Sequence, residues 1–516
     1  MAQEPTRTSP PSENGLSREI LVVGGVIVLG AIMSILDATI INVAIPTLGR
    51  RFHASISSIQ WVMTVYLLAF ATVIPLSGWL SRRFGATRVW MGALLVFMAG
   101  SILAGVSWSL GALIFFRVVQ GVGGGLIIPV GQTILAQAAG PKRMGRVMSI
   151  VGIPMLLAPV FGPVIGGVLV DQASWRWIFF INLPVGALAL LLAARLLPAA
   201  PPQPTERLDL RGLVLLPPGI ALFVYGLAEV GRRGGFGDTT TLVTLALGLV
   251  LLGFFVPHAS RRGSSALLDI GLFRSRGFAT ASATTLLLGI ALFGSLILLP
   301  LYLQLVRGES ALATGLLLMP QGLGAAVAMP LAGWLTDRNG ARVVVPTGIA
   351  LALVGTLGLT QVGASTSYLL LAGALFVIGL GLGSTIMPSM AVAFQTVSRE
   401  AVAQATSAIN VIQRLAGSIG TALLAVVLQR AIEARLPGVH GGIGAIAALP
   451  DDRRAHATTA LAEAFAQSFW VALVLVAGAL VPALLLPRVR ETSAGRAVDG
   501  DAALRATRLQ SGRVAG

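Results

Sequence analysis

The feature that most constrains this chain is a long series of apolar segments, each about 20 residues in length, separated by short polar loops. A helix of that length is long enough to cross the hydrocarbon core of a bilayer. Charged residues make up only 11% of the chain and the mean hydropathy is +0.86, whereas about 25% of the residues in a soluble domain are charged. The sequence therefore predicts an all-α membrane protein.

We predict fourteen membrane-spanning helices, and an even number of spans places both termini on the same side of the membrane. The approximate cores of the helices are 20–47, 57–80, 89–108, 111–138, 147–170, 177–197, 211–229, 240–257, 278–304, 312–334, 343–363, 368–394, 404–430 and 466–487.

Loop charges predict the orientation. Arg and Lys cluster in the loops after the second and fourth helices, before the ninth, and in the C-terminal tail, while the opposite loops 106–111 and 363–368 carry none. Basic loops stay on the cytoplasmic side, so we expect a multi-pass protein of the cell membrane with both termini in the cytoplasm. The same rule accounts for the net charge of +16, so nucleic acid is not expected as a partner.

Two sequence motifs occur twice at nearly the same spacing. Gly78–Gly85 (GWLSRRFG) resembles Gly333–Gly340 (GWLTDRNG), and Gly121–Gly125 (GVGGG) resembles Gly379–Gly383 (GLGLG). Two independent pairs at a common offset indicate two six-helix halves, an arrangement typical of transporters that bind substrate between the halves. The seventh and eighth helices then form an extra hairpin.

This repeat divides the chain into five parts. Residues 1–18 are polar and rich in Pro and Ser, and we expect a disordered cytoplasmic tail there rather than a signal peptide. The other parts are the N-terminal half 19–197, the hairpin 198–260, the C-terminal half 261–487 with an outer loop at about 434–464, and a second cytoplasmic tail 488–516.

Asp37 is the one acidic residue in the middle of a predicted span, and Arg117 is the one Arg deep in the N-terminal half. Ionisable side chains at membrane depth are costly and usually mark an ion or substrate pathway. Asp37 can carry protons if a neighbouring cation stabilises its charged form in one conformation only; alternatively, the two residues form a structural ion pair. In the second half, Leu375 and Ile378 stand at the positions of Arg117 and Gln120, which assigns proton coupling to the first half.

Several longer motifs follow one another along the chain. They are Leu36–Pro46 (LDATIINVAIP), Arg117–Gly123 (RVVQGVG), Pro159–Gly167 (PVFGPVIGG), Trp175–Gly186 (WRWIFFINLPVG) and, more weakly, Leu272–Phe278 (LFRSRGF) and Tyr302–Gln304 (YLQ). In this order they resemble the major facilitator superfamily, and within it the fourteen-helix drug:proton antiporters of the multidrug efflux type. The resemblance covers nearly the whole chain between the tails. It implies two pseudo-symmetric six-helix halves plus two extra central helices, and proton-driven export by alternating access without a cofactor.

The resemblance also implies a conformational latch in the loops after helices 2 and 10, and a seal formed by helix 5. The matching residues are Gly78, Arg83, Gly85, Gly162, Pro163, Gly166, Gly333, Asp337, Arg338 and Gly340. Arg82 stands where the family usually has Asp, so a salt-bridge latch is expected in the second half rather than the first. Alternatively, the glycines only allow close packing and the arginines only set topology.

Polar side chains at membrane depth are the candidate substrate contacts. They are Asn42, Gln60, Trp61, Tyr66, Gln120, Tyr302, Gln304, Gln321, Asn410, Gln413 and Arg414. Each could instead form an interhelical hydrogen bond. No further acid accompanies Asp37, and Arg414 makes the second half locally positive, so we expect neutral, zwitterionic or anionic amphiphiles in preference to dications.

These patterns predict a monomeric, proton-coupled exporter of lipophilic or amphiphilic compounds such as drugs, with protons, membrane lipids and small amphiphiles as its partners. The alternatives are an exporter or flippase dedicated to one endogenous lipid or secondary metabolite, and a sensor or scaffold that no longer transports. An enzyme is not expected, because the chain has no Cys and places no His or paired carboxylate at membrane depth. The lack of Cys also leaves no thiolate metal site.

Overall fold

The computed structural model describes residues 18–140, 147–148, 152, 162, 164–198, 202, 207–233, 235–436 and 451–487. This part of the chain consists of helices joined by short turns and contains no β-strand. The prediction of an all-α protein is therefore confirmed.

The helices, in chain order, are α1 (Arg18–Phe52), α2 (Ile56–Val73), α3 (Leu76–Phe84), α4 (Ala86–Gly105), α5 (Leu110–Ala139), α6 (Trp177–Phe180), α7 (Asn182–Leu196), α8 (Leu210–Arg233), α9 (Thr239–Arg262), α10 (Arg276–Leu305), α11 (Ala311–Asn339), α12 (Ala341–Leu359), α13 (Tyr368–Gly383), α14 (Ile386–Gln395), α15 (Val402–Arg435) and α16 (Asp451–Leu484). Helices α1 to α7 form the N-terminal half, α8 and α9 the extra hairpin, and α10 to α16 the C-terminal half. Residues 164–172 are also helical and belong to the fifth predicted span.

Among the described residues, twelve helical stretches are long and apolar enough to cross a membrane, and α2 with α3 forms a thirteenth that bends by 57°. The bend occurs at Pro75, which has no N–H to donate and whose ring clashes with the preceding turn. Each predicted span other than the fifth therefore has a counterpart. The fifth, 147–170, lies mostly outside the described residues, so the total of fourteen stays a prediction.

Consecutive spans run in opposite directions, so their loops lie alternately at two ends of the bundle. We call the end where α1 begins and α3 ends the base, and the opposite end the top. At the base, Gly85 has φ 87° and Gly340 has φ 81°, and their amides donate to the carbonyls of Ser81 and Thr336, both at 3.0 Å. Because a positive φ favours glycine, the two copies of the repeated loop need glycine at the same place.

The two glycine-rich motifs also occupy equivalent places. A Cβ on Gly121 of α5 would lie 2.6 Å from the carbonyl oxygen of Tyr66 on α2, and a Cβ on Gly379 of α13 would collide with the carbonyl of Gln321 on α11. Both glycines therefore let two helix backbones approach closely. The structure thus shows the packing role that the sequence allowed for them.

The extra hairpin packs against both halves. Near the top, Tyr225 of α8 stacks on Trp61 of α2, with ring centroids 5.8 Å apart. Val230 of α8 shares an apolar cluster with Ala422 of α15. The hairpin therefore covers the side of the bundle where α2 and α15 lie.

A buried carboxylate anchors the hairpin at the base. Asp209, just before α8, accepts hydrogen bonds from the amides of Gly212 and Leu267 at 3.0 and 3.1 Å, and its Oδ1 lies 2.9 Å from Nε2 of His258. Burial raises the pKa of Asp209, but these hydrogen bonds outweigh burial and hold that pKa below its usual range. The charged carboxylate thus ties α8, α9 and the following linker together.

The predicted outer loop, 434–464, is shorter in the structure. Helix α15 extends to Arg435, and α16 already begins at Asp451. The stretch DDRRAHATTALAEAF contains no Gly or Pro, so no helix-breaking residue interrupts its continuation into the membrane span. The polar segment DDRRAHATTALAEAF is therefore the first part of α16.

Candidate proton site and substrate cavity

Asp37 and Arg117 form a buried ion pair inside the N-terminal half. Nη1 of Arg117 lies 2.6 Å from Oδ2 of Asp37, and the two side chains are 0% and 1% exposed. Asp37 lies on α1 and Arg117 on α5, so tertiary packing brings together the two residues that the sequence singled out. At this depth an ion pair requires good geometry, because desolvation of both charges opposes their attraction.

Two amide side chains complete the surroundings of the carboxylate. Nε2 of Gln120 and Nδ2 of Asn182 donate to Oδ1 of Asp37 at 2.8 and 3.0 Å. The hydroxyl of Ser101 accepts from both amides, at 3.1 and 3.0 Å, and donates to the carbonyl of Phe179 at 2.8 Å. Both carboxylate oxygens therefore have donors, as a buried charge requires.

Arg117 has further partners of its own. Its Nη1 also donates to Oε1 of Gln120 at 2.8 Å, and its Nε donates to the carbonyl of Val62 at 3.2 Å. The guanidinium carbon lies 4.0 Å from the ring centroid of Tyr66, a favourable cation–π distance. Arg117 therefore links α1, α2 and α5 as well as compensating the carboxylate.

This arrangement seals Asp37 from water in the observed conformation. The side chain is only 1% exposed, so the carboxylate has no direct contact with bulk water in this conformation. Proton binding would remove the negative charge that Arg117 compensates and would weaken the ion pair. The geometry thus fits a carboxylate whose access and charge change together during a conformational cycle.

Asn182 and Ser101 are site residues that the sequence prediction missed. Asn182 lies at the start of α7, inside the motif Trp175–Gly186, and Ser101 lies in α4 outside any motif. The available signal was a polar side chain among apolar ones. That signal does not separate a partner of Asp37 from an ordinary interhelical hydrogen bond.

Some predicted substrate contacts are fully engaged within the protein. Tyr66 and Gln120 belong to the buried cluster around Arg117. Tyr302 is buried and donates to the carbonyl of Gly363 at 2.7 Å, while Trp61 stacks on the extra hairpin. Tyr302 and Trp61 therefore make packing contacts in this conformation.

The remaining candidates are distributed more widely. Asn42, Gln60 and Gln304 are exposed, and Gln321 lines an otherwise mostly apolar cavity inside the C-terminal half. On α15, Asn410 and Arg414 reach the N-terminal half, whereas Gln413 lies 4.0 Å from Sδ of Met390 in its own half. The structure thus places the polar stretch of α15 at the interface between the halves.

Gly78 is the predicted latch residue that touches the other half. A Cβ on Gly78 would lie 3.2 Å from the carbonyl oxygen of Ala403 and 3.3 Å from Cα of Gln404, both at the start of α15. These distances are shorter than ordinary van der Waals contacts of a Cβ. The absence of a side chain therefore allows α3 to lie directly against α15.

The two glycines of the fifth predicted span that the sequence analysis singled out, Gly162 and Gly166, pack against α1. Gly162 lies against Thr39, and a Cβ on Gly166 would lie 2.8 Å from Cγ1 of Ile40. The helix of the fifth predicted span can therefore approach α1, which carries Asp37, this closely only where it has small residues. Pro163 lies outside the described residues.

The other latch residues lie at the base of their own halves. Arg338 packs over the ring of Trp334, with its guanidinium carbon 5.4 Å from the ring centroid. Arg83 and Asp337 are half-buried, and Gly333 is buried.

The two halves contact each other toward the base. The hydroxyl of Ser407 donates to the carbonyl of Ile74 at 3.0 Å, and Nδ2 of Asn410 donates to Oε1 of Gln132 at 2.7 Å. Together with the close contact at Gly78, these hydrogen bonds hold α15 against α3 and α5. The observed conformation is therefore closed at the base.

Comparison with known proteins assigns the family. The family described as Major Facilitator Superfamily matches residues 27–421 of this chain. The chain belongs to the major facilitator superfamily. It is therefore a multi-pass membrane transporter and not an enzyme, and the family and fold predicted from the motifs are confirmed.

Several relatives of this major facilitator protein are similar over most of their length. The "Multidrug resistance protein B homolog" of Mycobacterium tuberculosis (strain ATCC 25618 / H37Rv) is 42% identical over 488 residues, which cover 91% of this chain and 90% of the relative. The "Multidrug export protein EmrB" of Haemophilus influenzae is 32% identical over 416 residues, with coverages of 80% and 81%. The crystal structure of the human organic anion transporter MFSD10 (TETRAN) has a TM-score of 0.61 at 16% identity, covering 92% of this chain and 100% of that one. At this identity the similarity shows the fold alone.

Proposed function

We propose that this protein is a proton-coupled exporter that moves lipophilic or amphiphilic compounds, such as drugs, out of the cytoplasm or the inner leaflet. Protons enter in exchange, so the proton gradient supplies the energy and no cofactor takes part. The base faces the cytoplasm together with both termini, and the protein works as a monomer in the cell membrane. The two halves rock so that the cavity between them opens alternately to each side.

The observation that carries this proposal is the carboxylate of Asp37, buried against Arg117 inside one half of a transporter. A charged pair at membrane depth is costly, and replacing such a pair with apolar side chains often leaves a protein as stable or more stable. A role in coupling explains its presence better than packing does. The names of the relatives, which refer to multidrug resistance and multidrug export, support drugs as the substrate class.

A row of side chains connects the proton site with the other half. Arg117 lies over the ring of Tyr66, and that ring lies 6.1 Å from the ring of Phe70. Arg414, from α15 of the C-terminal half, lies 4.0 Å above Phe70. When Asp37 binds a proton, Arg117 loses its counter-charge and the row is held less firmly at this end, which changes the contact between the halves.

The energy available from one proton is sufficient for export. One elementary charge that crosses 100 mV gains roughly 2.3 kcal/mol, which corresponds to about a fiftyfold concentration gradient. One proton per cycle therefore suffices to keep the cytoplasmic concentration of a neutral compound well below its external concentration.

The test uses purified protein in proteoliposomes with an imposed pH gradient and a lipophilic fluorescent dye that has no titratable group. We expect the dye to accumulate in the acidic compartment against its own gradient, and a protonophore to abolish this movement. Liposomes without protein report passive leakage. Dye movement at the same rate with and without the pH gradient would rule out proton coupling. The absence of movement of any dye would favour the exporter dedicated to one lipid or metabolite.

Gly78→Val is expected to open the base, because a Cβ at this position would already lie 3.2 Å from the carbonyl oxygen of Ala403 in α15, and the two methyl groups of Val add to this crowding and destabilise the closed state. Since the chain has no Cys, nitroxide labels can be attached at Arg88→Cys and Arg342→Cys, two exposed positions at the base of α4 and α12. Double electron–electron resonance should show a longer distance between the labels in the Gly78→Val protein.

Gly92→Val is the matched control for this prediction. Gly92 lies in α4 with open space around its Cβ position, so the substitution adds the same side chain without a collision. Its distance distribution should equal that of the parent. An unchanged distribution in the Gly78→Val protein would show that this glycine does not gate the base.

A further inference from the structure

Arg414 is a cation at the interface between the halves, and no carboxylate of the described residues forms an ion pair with it. Its guanidinium carbon lies 4.0 Å from the ring centroid of Phe70, which belongs to α2 of the opposite half. The side chain is half-buried, and none of the ion pairs among the described residues includes it. It lies on α15 one helical turn after Asn410, which donates a hydrogen bond to Gln132 of the N-terminal half.

Comparison with Arg117 shows what Arg414 lacks. Arg117 has a counter-charge, two neutral oxygen acceptors and the face of an aromatic ring. Among the described residues, the side chain of Arg414 has the ring face of Phe70 as its partner, which attracts a cation without neutralising its charge. Because an uncompensated cation at membrane depth is costly, a mobile anion that reaches Arg414 would be strongly favoured.

Within the part of the chain that the structure describes, no acidic side chain forms an ion pair that supplies this missing charge. The carboxylate of Asp37 is already engaged by Arg117, Gln120 and Asn182. With Asp37 ionised, the central side chains carry one uncompensated positive charge, and with Asp37 protonated they carry more. These side chains near the interface between the halves therefore repel cations and attract anions, whether Asp37 is ionised or protonated.

We propose that Arg414 is the head-group site for an amphiphile that carries a carboxylate. Its planar guanidinium presents paired N–H donors that match the two oxygens of a carboxylate. With Asp37 ionised, a monoanion neutralises the single excess charge, whereas a phosphate dianion would leave a net negative charge in a medium of low dielectric constant. This assignment rests on the proposed export function, since it gives a charge preference to the same cavity. It narrows the expectation from the sequence, which also allowed neutral and zwitterionic compounds.

The test measures binding rather than transport, so that it stays informative if the protein exports none of the probes. Three probes share one apolar group and differ only in their head: 1-pyrenebutyrate, its primary amide, and 4-(1-pyrenyl)butylamine. We expect the detergent-solubilised full-length protein to bind the carboxylate about tenfold more tightly than the amide, because a hydrogen-bonded ion pair forms away from water. The amine should bind most weakly.

Arg414→Gln should remove the preference for the carboxylate and leave the affinity for the amide nearly unchanged. Arg414→Lys, which keeps the charge, should retain part of the preference. Arg307→Gln is the matched control. Arg307 also lies over an aromatic ring, 4.6 Å from the centroid of Tyr368, but it lies at the top of the C-terminal half and not beside Phe70. It should keep the full preference.

Equal affinity of the parent protein for the carboxylate and the amide would overturn the proposal, even if the Arg414 variants fail to fold. A preference that survives in a folded Arg414→Gln protein would also overturn it and would leave Arg414 as a contact with Phe70 that only ties the halves together. Loss of dye export together with an intact carboxylate preference would instead count against the proposed transport function alone.

Discussion

Asp37→Asn is expected to abolish gradient-driven efflux, down to the level of liposomes without protein. Asn has nearly the shape of Asp, and its oxygen can still accept one of the hydrogen bonds that Gln120 and Arg117 donate to the carboxylate. It cannot bind and release a proton, so the pH gradient has no route into the transport cycle. Substrate binding and downhill exchange of dye should persist, since neither requires the proton.

The control for this substitution is Glu433→Gln. Glu433 is an exposed carboxylate on α15 that accepts a hydrogen bond from Gln429 at 2.9 Å, and its neutralisation should leave uphill efflux at the parental rate. Uphill efflux that persists in the Asp37→Asn protein would place proton coupling elsewhere. Loss of downhill exchange as well would indicate that the substitution damages the fold.

Arg117→Met is expected to destabilise the protein by about 3–5 kcal/mol, because it leaves a buried carboxylate without its counter-charge. Met is unbranched and apolar but ends one atom short of the guanidinium carbon that lies over Tyr66, so the loss of this contact adds to the effect of the lost charge. The thermal midpoint of unfolding in detergent, compared at one scan rate because membrane proteins often unfold irreversibly, is the measurement. A midpoint equal to that of the parent would show that the ion pair does not stabilise this half.

The double variant Asp37→Asn, Arg117→Met separates charge from packing. With both charges gone, no uncompensated ion is buried, and replacing both partners of such a pair is often nearly neutral. The double variant should therefore recover most of the lost stability while remaining inactive in gradient-driven efflux. A double variant as unstable as Arg117→Met alone would mean that the loss comes from the contacts of the guanidinium with Tyr66 and Val62.

The membrane spans and the internal repeat were predictable from the sequence because they depend on local properties. Span length follows from hydropathy, and the paired loops at Gly85 and Gly340 follow from a backbone conformation that favours glycine. Asp37 and Arg117 could likewise be singled out from the sequence, because a charged side chain within an apolar segment is costly whichever helices surround it. Each of these inferences needs only neighbouring residues along the chain.

The partners of these residues depended on the tertiary structure. Whether a polar side chain on a membrane helix meets a carboxylate, a ring or the cavity depends on how the helix is rotated and which helix lies beside it. For that reason the sequence did not predict that Asn182 donates to Asp37 or that Trp61 stacks on Tyr225 of the extra hairpin.

By itself, the sequence determined the class of protein, its family and the buried charges that make proton coupling the leading hypothesis. Only the tertiary structure decided that the side-chain amides of Gln120 and Asn182 both donate to the carboxylate of Asp37. It also decided that Arg414 faces Phe70 of the other half without an ion pair to any acidic side chain of the described residues. The physical reason is that apolar patterning along a helix specifies burial in the membrane, whereas charge compensation is settled by contacts between helices far apart in the chain.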